Sequence, residues 1–161
     1  MLEVQPTVEA IARVRRFLEE TPYRPEIIEF DESTHTSELA ARAVGVEVGQ
    51  IAKSILLIIG DQPVLVVTSG DMKVSQSKLK QVLGASGKVK LADPDTTMEL
   101  TGFPPGGVCP FALKQPVPVL IDRSMERFPV VYAAAGTPRS AVPVSVAQLL
   151  DITGGTLCDL A

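Results

Sequence analysis

The stretch Ile51-Ala52-Lys53-Ser54-Ile55-Leu56-Leu57-Ile58-Ile59, followed by Gly60-Asp61-Gln62-Pro63 and then Val64-Leu65-Val66-Val67-Thr68, decides the fold class. Two apolar, β-branched runs flank a short Gly/Asp/Pro segment, the pattern of a β-hairpin. The spacing predicts strands over 51–59 and 64–68 joined by a four-residue loop. Working outward, helical and extended patterns alternate in both directions, which reads as a single α/β domain with helices flanking a sheet.

Upstream, Thr7 reads as an N-cap, with Val8, Ile11, Val14 and Leu18 at helical spacing, until Pro22 and Pro25 end the helix near residue 21. Residues 26–30 read as a strand. Thr36 or Ser37 can cap a helix over 38–44, with Gly45 as its stop. Downstream, Ser75 caps a helix through Leu83 and Gly84 closes it; 88–92 read as a short strand. Asp93 with Pro94 starts another helix that ends near Gly102. Residues 117–121 and 130–134 read as strands, Ser145 caps a last helix over 146–152, and 156–160 form a terminal strand. Because strands occur both as a hairpin and in helix-separated runs, the sheet is expected to be mixed and curved rather than purely parallel. The whole span 1–161 is expected to be one domain, with its core over about 26–160 and the N-terminal helix over about 7–21.

Composition narrows the function classes. Hydrophobic residues make up 45% of the 161 residues and charged residues 21%, which suits a globular domain with its own core. No apolar run is long enough for a membrane-spanning helix, and the N-terminal sequence lacks the order of a secretory signal. Cys109 and Cys158 are too far apart for a disulfide framework or a zinc spacing, so a reduced, cytoplasmic setting is expected. With His35 as the sole histidine, no metal or cofactor is expected. The net charge of −4 argues against a nucleic-acid coating protein. Yet 72–92 carry no acidic residue and contain Lys73, Lys78, Lys80, Lys88 and Lys90, either a solvated face or a local phosphate footprint.

Several residues stand out chemically. Lys53 sits early in a strongly apolar strand, where an ammonium is costly if buried alone. Either it snorkels to water or it sits at a pocket mouth and holds a phosphate or carboxylate. Thr101-Gly102-Phe103-Pro104-Pro105-Gly106-Gly107-Val108-Cys109-Pro110-Phe111 is either an ordinary connection or a stiff loop whose main-chain amides approach a ligand. It is no Walker-type phosphate loop, since no Gly-Lys-Ser/Thr follows. Ala133-Ala134-Ala135-Gly136, with Asp122 and Arg139, offers a small-residue wall for a pocket or for close packing. Cys109 and His35 form a conceivable nucleophile pair, though nothing in the sequence brings them together.

Gly45-Val46-Glu47-Val48-Gly49-Gln50-Ile51-Ala52-Lys53-Ser54-Ile55-Leu56 resembles the hallmark segment of the YbaK family, which includes the editing domain of prolyl-tRNA synthetase and free-standing relatives. Residues 101–111, with a Gly-x-x-x-Pro element from Gly106 to Pro110, resemble that family's glycine loop. Residues 133–138 resemble a third block, and 64–71 with Lys78 and Leu79 fall between in the same order. The resemblance runs from about Glu29 to the C-terminus.

It implies hydrolysis of the ester between a wrong amino acid and the terminal ribose of tRNA, most often tRNA for proline, with neither metal nor protein nucleophile: the main chain of the glycine loop holds the aminoacyl group and stabilises the oxyanion, and a substrate group, a ribose hydroxyl or the cysteine thiol, assists the attack. Charged tRNA is then the substrate and prolyl-tRNA synthetase a candidate partner. Because the synthetase's catalytic and anticodon-binding regions are absent from the sequence, the enzyme is expected to stand alone. The resemblance assigns Lys53, Gly106, Gly107 and Pro110 to catalysis, and His35, Val108, Cys109, Phe111, Ala135 and Gly136 to the aminoacyl group. Lys73, Lys78 and Lys80 would meet the tRNA. The sequence departs from the pattern at Ala112, where many relatives have Gly, at Cys109, where many have a different residue, and at Val142-Pro143-Val144-Ser145, so the amino acid removed stays open. A Cys109-dependent hydrolase and a non-catalytic tRNA- or protein-binding module remain as alternatives.

Overall fold

The computed structural model describes residues 4–161, with side chains from Glu9 onward. Its elements run α1 (Val4–Glu19), β1 (Ile28–Glu29), α2 (Ser37–Val44), β2 (Ile51–Ile59), β3 (Gln62–Ser69), α3 (Gln76–Leu83), β4 (Val89–Leu91), α4 (Pro94–Thr101), β5 (Val119–Asp122), β6 (Val131–Ala133), β7 (Ser140–Val144), α5 (Val146–Thr153) and β8 (Thr156–Cys158). They form a mixed α/β domain around an eight-stranded sheet of order β1-β7-β6-β2-β3-β5-β8, with β4 also paired to β2.

Capping chemistry sets most helix ends. Thr36, Ser75, Asp93 and Ser145 each accept a first-turn amide, while Gly45, Gly84, Gly102 and Gly154 close their helices in the left-handed region. Gln148 returns a bond to the Ser145 amide and completes a capping box. The first helix differs from the sequence expectation. It is already helical at Val4, so Thr7 lies within it and does not cap it; the burial of Val8 lies outside the described side chains. Ala10, Ile11, Val14 and Leu18 lock this helix into the main core with Phe103, Phe111, Ile121 and Leu149, so the N-terminal helix is part of the packed body.

The hairpin turns more tightly than expected. Ile59 pairs with Gln62, which leaves a two-residue loop, Gly60-Asp61. Gly60, at φ 62°, holds the first central position, which a type II′ turn gives to glycine. β7 was not anticipated. It pairs antiparallel to β6 through Tyr132↔Pro143, whereas β1 meets it only at Ser140 and Ala141. The edge beside Pro143 therefore lacks a partner strand, where proline is tolerated.

The feature that matters most for the site is a gap in the sheet. β3 covers one edge of β2 along its length, but two strands share the other. β6 pairs with Ile51 and Ala52, and β4 with Leu57 to Ile59. Between them, among the described residues, 53–55 have no neighbouring strand on that edge.

Candidate active site

A cavity of about 280 Å³ opens at this gap. Lys53, Ser54 and Ile55 of β2, Gly106 and Val108 of the glycine loop, Ala133 at the end of β6 with Ala134 after it, and the segment Thr34–Ser37 leading into α2 line it. Residues distant in sequence thus share one wall. Lys53 is half-buried, makes no ion pair among the described residues, and also borders a second depression with Lys73. Its charge also reaches Asp71, whose carboxyl it helps to lower after the larger effect of Arg127.

The glycine loop is held from three sides. Arg13 of α1 donates to the carbonyls of Thr101 (2.9 Å) and Ala112 (3.1 Å) and stacks on the Phe103 ring, 4.5 Å from its centroid. Gly106 has φ 88°, and a Cβ there would lie 2.9 Å from that of His35. Only glycine allows this loop and the His35 segment to touch without displacement. Gly107 presses its main chain on Gly136 and Thr137, where a Cβ would meet backbone atoms at 2.8 Å.

A buried hydroxyl network fixes the opposite side. The Ser140 amide donates to Thr34 Oγ1 (3.1 Å), the Ala135 amide donates to Ser140 Oγ (3.0 Å), and Ser140 Oγ donates to the Thr137 carbonyl (3.1 Å). Sequence reasoning missed Thr34, Thr137 and Ser140. The only signal was a scatter of hydroxyl residues, since their partnership depends on β7 and on contacts more than 100 residues apart.

The structure brings together some of the residues singled out in the sequence and separates others. Lys53, Gly106, Val108 and His35 meet at the cavity. His35 Nδ1 lies 3.1 Å from Ser33 Oγ. Gly107 stands behind the lining, and its amide is taken by the Pro104 carbonyl at 3.0 Å, so it offers no donor to a ligand. Pro110 faces a different groove, lined by Phe17, Leu113 and Val117. Cys109, Phe111 and Ala135 are fully enclosed in the main core. Gly136 abuts Phe103 and Ala10. These residues shape the site's supporting wall and do not line it.

The thiol of Cys109 points to Phe111 O at 3.7 Å, and burial pushes its pKa up to about 12. A neutral, enclosed thiol is no nucleophile, which removes the Cys109–His35 pair.

Other expected site groups turn out to be structural. Asp122 is buried away from the cavity and accepts bonds from the Leu160 amide (2.7 Å), the Ser124 amide (3.1 Å) and Thr68 Oγ1 (3.3 Å). Burial alone would raise its carboxyl, but the bonds from Ser124, Leu160 and Thr68 outweigh that and hold it below the ordinary range. Arg139 donates to the Asp31 carbonyl. Within the basic stretch, Lys78 donates to Asp159 (3.2 Å) and to the Ala161 carbonyl (2.6 Å), and Lys80 to the Gly87 carbonyl (3.1 Å); Lys73 is the member beside Lys53.

Ala112 has φ 54°, a left-handed conformation that favours glycine. Glycine would fit this position without strain.

The cavity therefore brings Lys53 together with main chain, small side chains and the hydroxyl-bearing Thr34, Ser37 and Tyr132 beside His35. Over residues 31–152 the chain matches the aminoacyl-tRNA editing domain, and it belongs to that family of aminoacyl-tRNA deacylases. It is 36% identical to the uncharacterized Bacillus subtilis (strain 168) protein YwhH over 129 residues, 80% of this chain and 81% of that one. It is 33% identical over 89 residues to the proline–tRNA ligase of Citrifermentans bemidjiense, 55% of this chain but 15% of the ligase. A solved structure described as a "putative trans-editing enzyme for prolyl tRNA synthetase" superposes with a TM-score of 0.86 at 36% identity, covering 94% of this chain and 96% of that one. Among the described residues no helix is long and apolar enough to cross a membrane.

Proposed function

We propose that this protein hydrolyses the ester of mischarged tRNA for proline in trans, acting in the cytoplasm on small, wrong aminoacyl groups. The observation that carries the reading is the shared wall of Lys53 and Gly106 in one small cavity. Lys53 anchors a phosphate near the 3′ end. The wall of Gly106, Val108, Ala133 and Ala134 confines the acyl group, and main-chain amides bordering the cavity polarise the ester carbonyl. Water attacks that carbonyl, the ribose oxygen leaves with a proton, and free amino acid and tRNA result.

Little beyond placement is required. An activated ester gains most from orientation and from preorganised donors, one of which supplies about 3 kcal/mol. A second small pocket is useful because one methylene gives a synthetase only about 1–3 kcal/mol of discrimination. The 33% identity to a proline–tRNA ligase supports tRNA for proline as the carrier, and prolyl-tRNA synthetase is the partner best placed to release it. Lys73, beside Lys53, extends the phosphate track. Lys78 and Lys80 reach tRNA only by giving up their carbonyl partners.

The test is a deacylation panel: tRNA for proline charged with Ala, Ser, Thr, Cys or Pro, against the wild-type protein and Lys53→Ala. Rapid loss of at least one wrong aminoacyl group, slow loss of Pro, and a large drop in the folded variant are expected. Full activity of Lys53→Ala rejects its role, and an intact ester across the panel rejects the function.

A further inference from the structure

Among the described residues, the gap beside β2 leaves the main-chain groups of Ser54 without a ladder partner. Gly70 donates to Ile51 O (2.7 Å) on the β3 side, and Ala92 donates to Leu56 O (3.0 Å) on the β4 side. Main-chain groups alternate between the two edges of a strand. The N–H and C=O of Lys53 and Ile55 therefore face β3, and those of Ser54 face the gap. The ladder to β6 ends at Ala52↔Ala133 and that to β4 begins at Leu57↔Leu91, so neither reaches Ser54.

Two further observations mark Ser54. Its hydroxyl is enclosed and has no hydrogen-bond partner. Yet the residue as a whole is partly exposed and lines the cavity. Its exposed portion is therefore the main chain and Cβ, within the central strand of an eight-stranded sheet.

We infer that the aminoacyl group binds here as a one-residue strand, its α-amino group donating to the Ser54 carbonyl and its ester carbonyl accepting from the Ser54 N–H. The inference rests on the editing reading above and names the contacts within it. An extended aminoacyl unit carries its N–H and C=O on one side, and an antiparallel hydrogen-bonded pair exchanges both bonds with its partner residue. Among the described residues no carboxylate lines the cavity, so the α-amino group must find a neutral oxygen, and the Ser54 carbonyl is open. The Gly107 amide is already taken by Pro104, whereas the Ser54 N–H is not. That N–H is the donor aimed at the developing oxyanion, and it follows directly after the anchoring Lys53.

The pairing is testable because β3 does not use the Ser54 nitrogen. Ser54→Pro removes the N–H without breaking a ladder bond, while Ser54→Ala keeps it. The probes are 3′-deoxy-3′-aminoacylamino-adenosines carrying Ala, Ser, Thr or Cys, with an amide in place of the ester. On binding, the Ser54 amide proton is expected to shift downfield in a proton–nitrogen NMR spectrum while those of Lys53 and Ile55 hold. Ser54→Pro should bind at least tenfold more weakly and lose about 100-fold in deacylation rate. Ser54→Ala, which keeps the N–H and the carbonyl, should lose far less than Ser54→Pro in both measurements. If Ser54→Pro does not fold, replacing Ser54 by its α-hydroxy acid removes the same N–H with less disturbance, and the same losses are expected. A bound analogue that leaves the Ser54 amide unmoved, or a folded N–H-less variant with wild-type turnover, overturns this pairing alone. Failure of the wild-type protein to bind any analogue overturns both it and the editing reading.

Discussion

Replacing Gly106 with alanine perturbs the site in two separable ways. The native φ of 88° is left-handed, which costs an L-residue about 1–2 kcal/mol. The new Cβ would also lie 2.9 Å from His35 Cβ and 3.5 Å from His35 Cα. Those atoms belong to backbone or its first side-chain carbon, so relief requires the Thr34–Thr36 segment or the loop to move. Thr34 is tied to Ser140, which resists that movement, and overpacking of this kind costs roughly another 1 kcal/mol. The sum, about 2–3 kcal/mol, corresponds to a fall in Tm of about 5–10 °C for a chain of this size. The loop and the His35 segment form two walls of the cavity, so a shift approaching 1 Å should lower deacylation by about 100-fold.

The assay is a thermal melt alongside a single-turnover deacylation rate, for Gly106→Ala, His35→Gly and the double variant. Removing the His35 Cβ should recover the steric part but not the dihedral part, a coupling of about 1 kcal/mol. Additive effects in the cycle, or a Gly106→Ala protein within 0.5 kcal/mol of wild type and fully active, would refute the reasoning.

Three other changes probe the support around the site. Ala112→Gly should raise stability by about 0.5–1 kcal/mol, because relief of the left-handed strain exceeds the added chain entropy; a melt showing a lower Tm would contradict this. Asp122→Ala should cost roughly 3 kcal/mol, since it leaves the Leu160 amide and the Thr68 hydroxyl without their charged acceptor. Because the native Asp122 carboxyl is held below its ordinary value of 3.8, its contribution is complete above that pH and disappears as pH falls through the lower native value. Urea unfolding of wild type and variant should therefore converge in strong acid, and a constant difference down to the acid limit would oppose the assignment. Finally, alkylation of the native protein near neutral pH should label Cys158 and spare Cys109, whose enclosed thiol is raised to about 12; rapid labelling of Cys109 would show the loop to be open.

Local chemistry was legible wherever a few neighbouring residues determine the outcome. The hairpin followed from two apolar runs, and the helix ends at Thr36, Ser75, Asp93 and Ser145 from side chains that reach only to their own first turn. Lys53 and Gly106 stood out because an ammonium in an apolar strand and a glycine pair in a proline-rich loop each conflict with their surroundings. What failed depended on direction and distance. Composition makes residues 101–111 resemble a surface connection, yet Arg13 and the core draw Phe103, Cys109 and Phe111 inward. Charge counting grouped Lys73, Lys78 and Lys80, although the returning C-terminal tail takes up Lys78. The gap at Ser54 could not be read at all, because it arises from where two strands on one edge stop.

The measurement that bears most directly on the cavity is a crystal structure of the protein with a non-hydrolysable aminoacyl analogue of the tRNA 3′ end, including its terminal phosphate. The account predicts a phosphate oxygen within about 3 Å of Lys53 Nζ and the acyl group between Gly106 and Ser54. An analogue seated in the groove of Phe17, Pro110 and Val117, with Lys53 untouched, would contradict it.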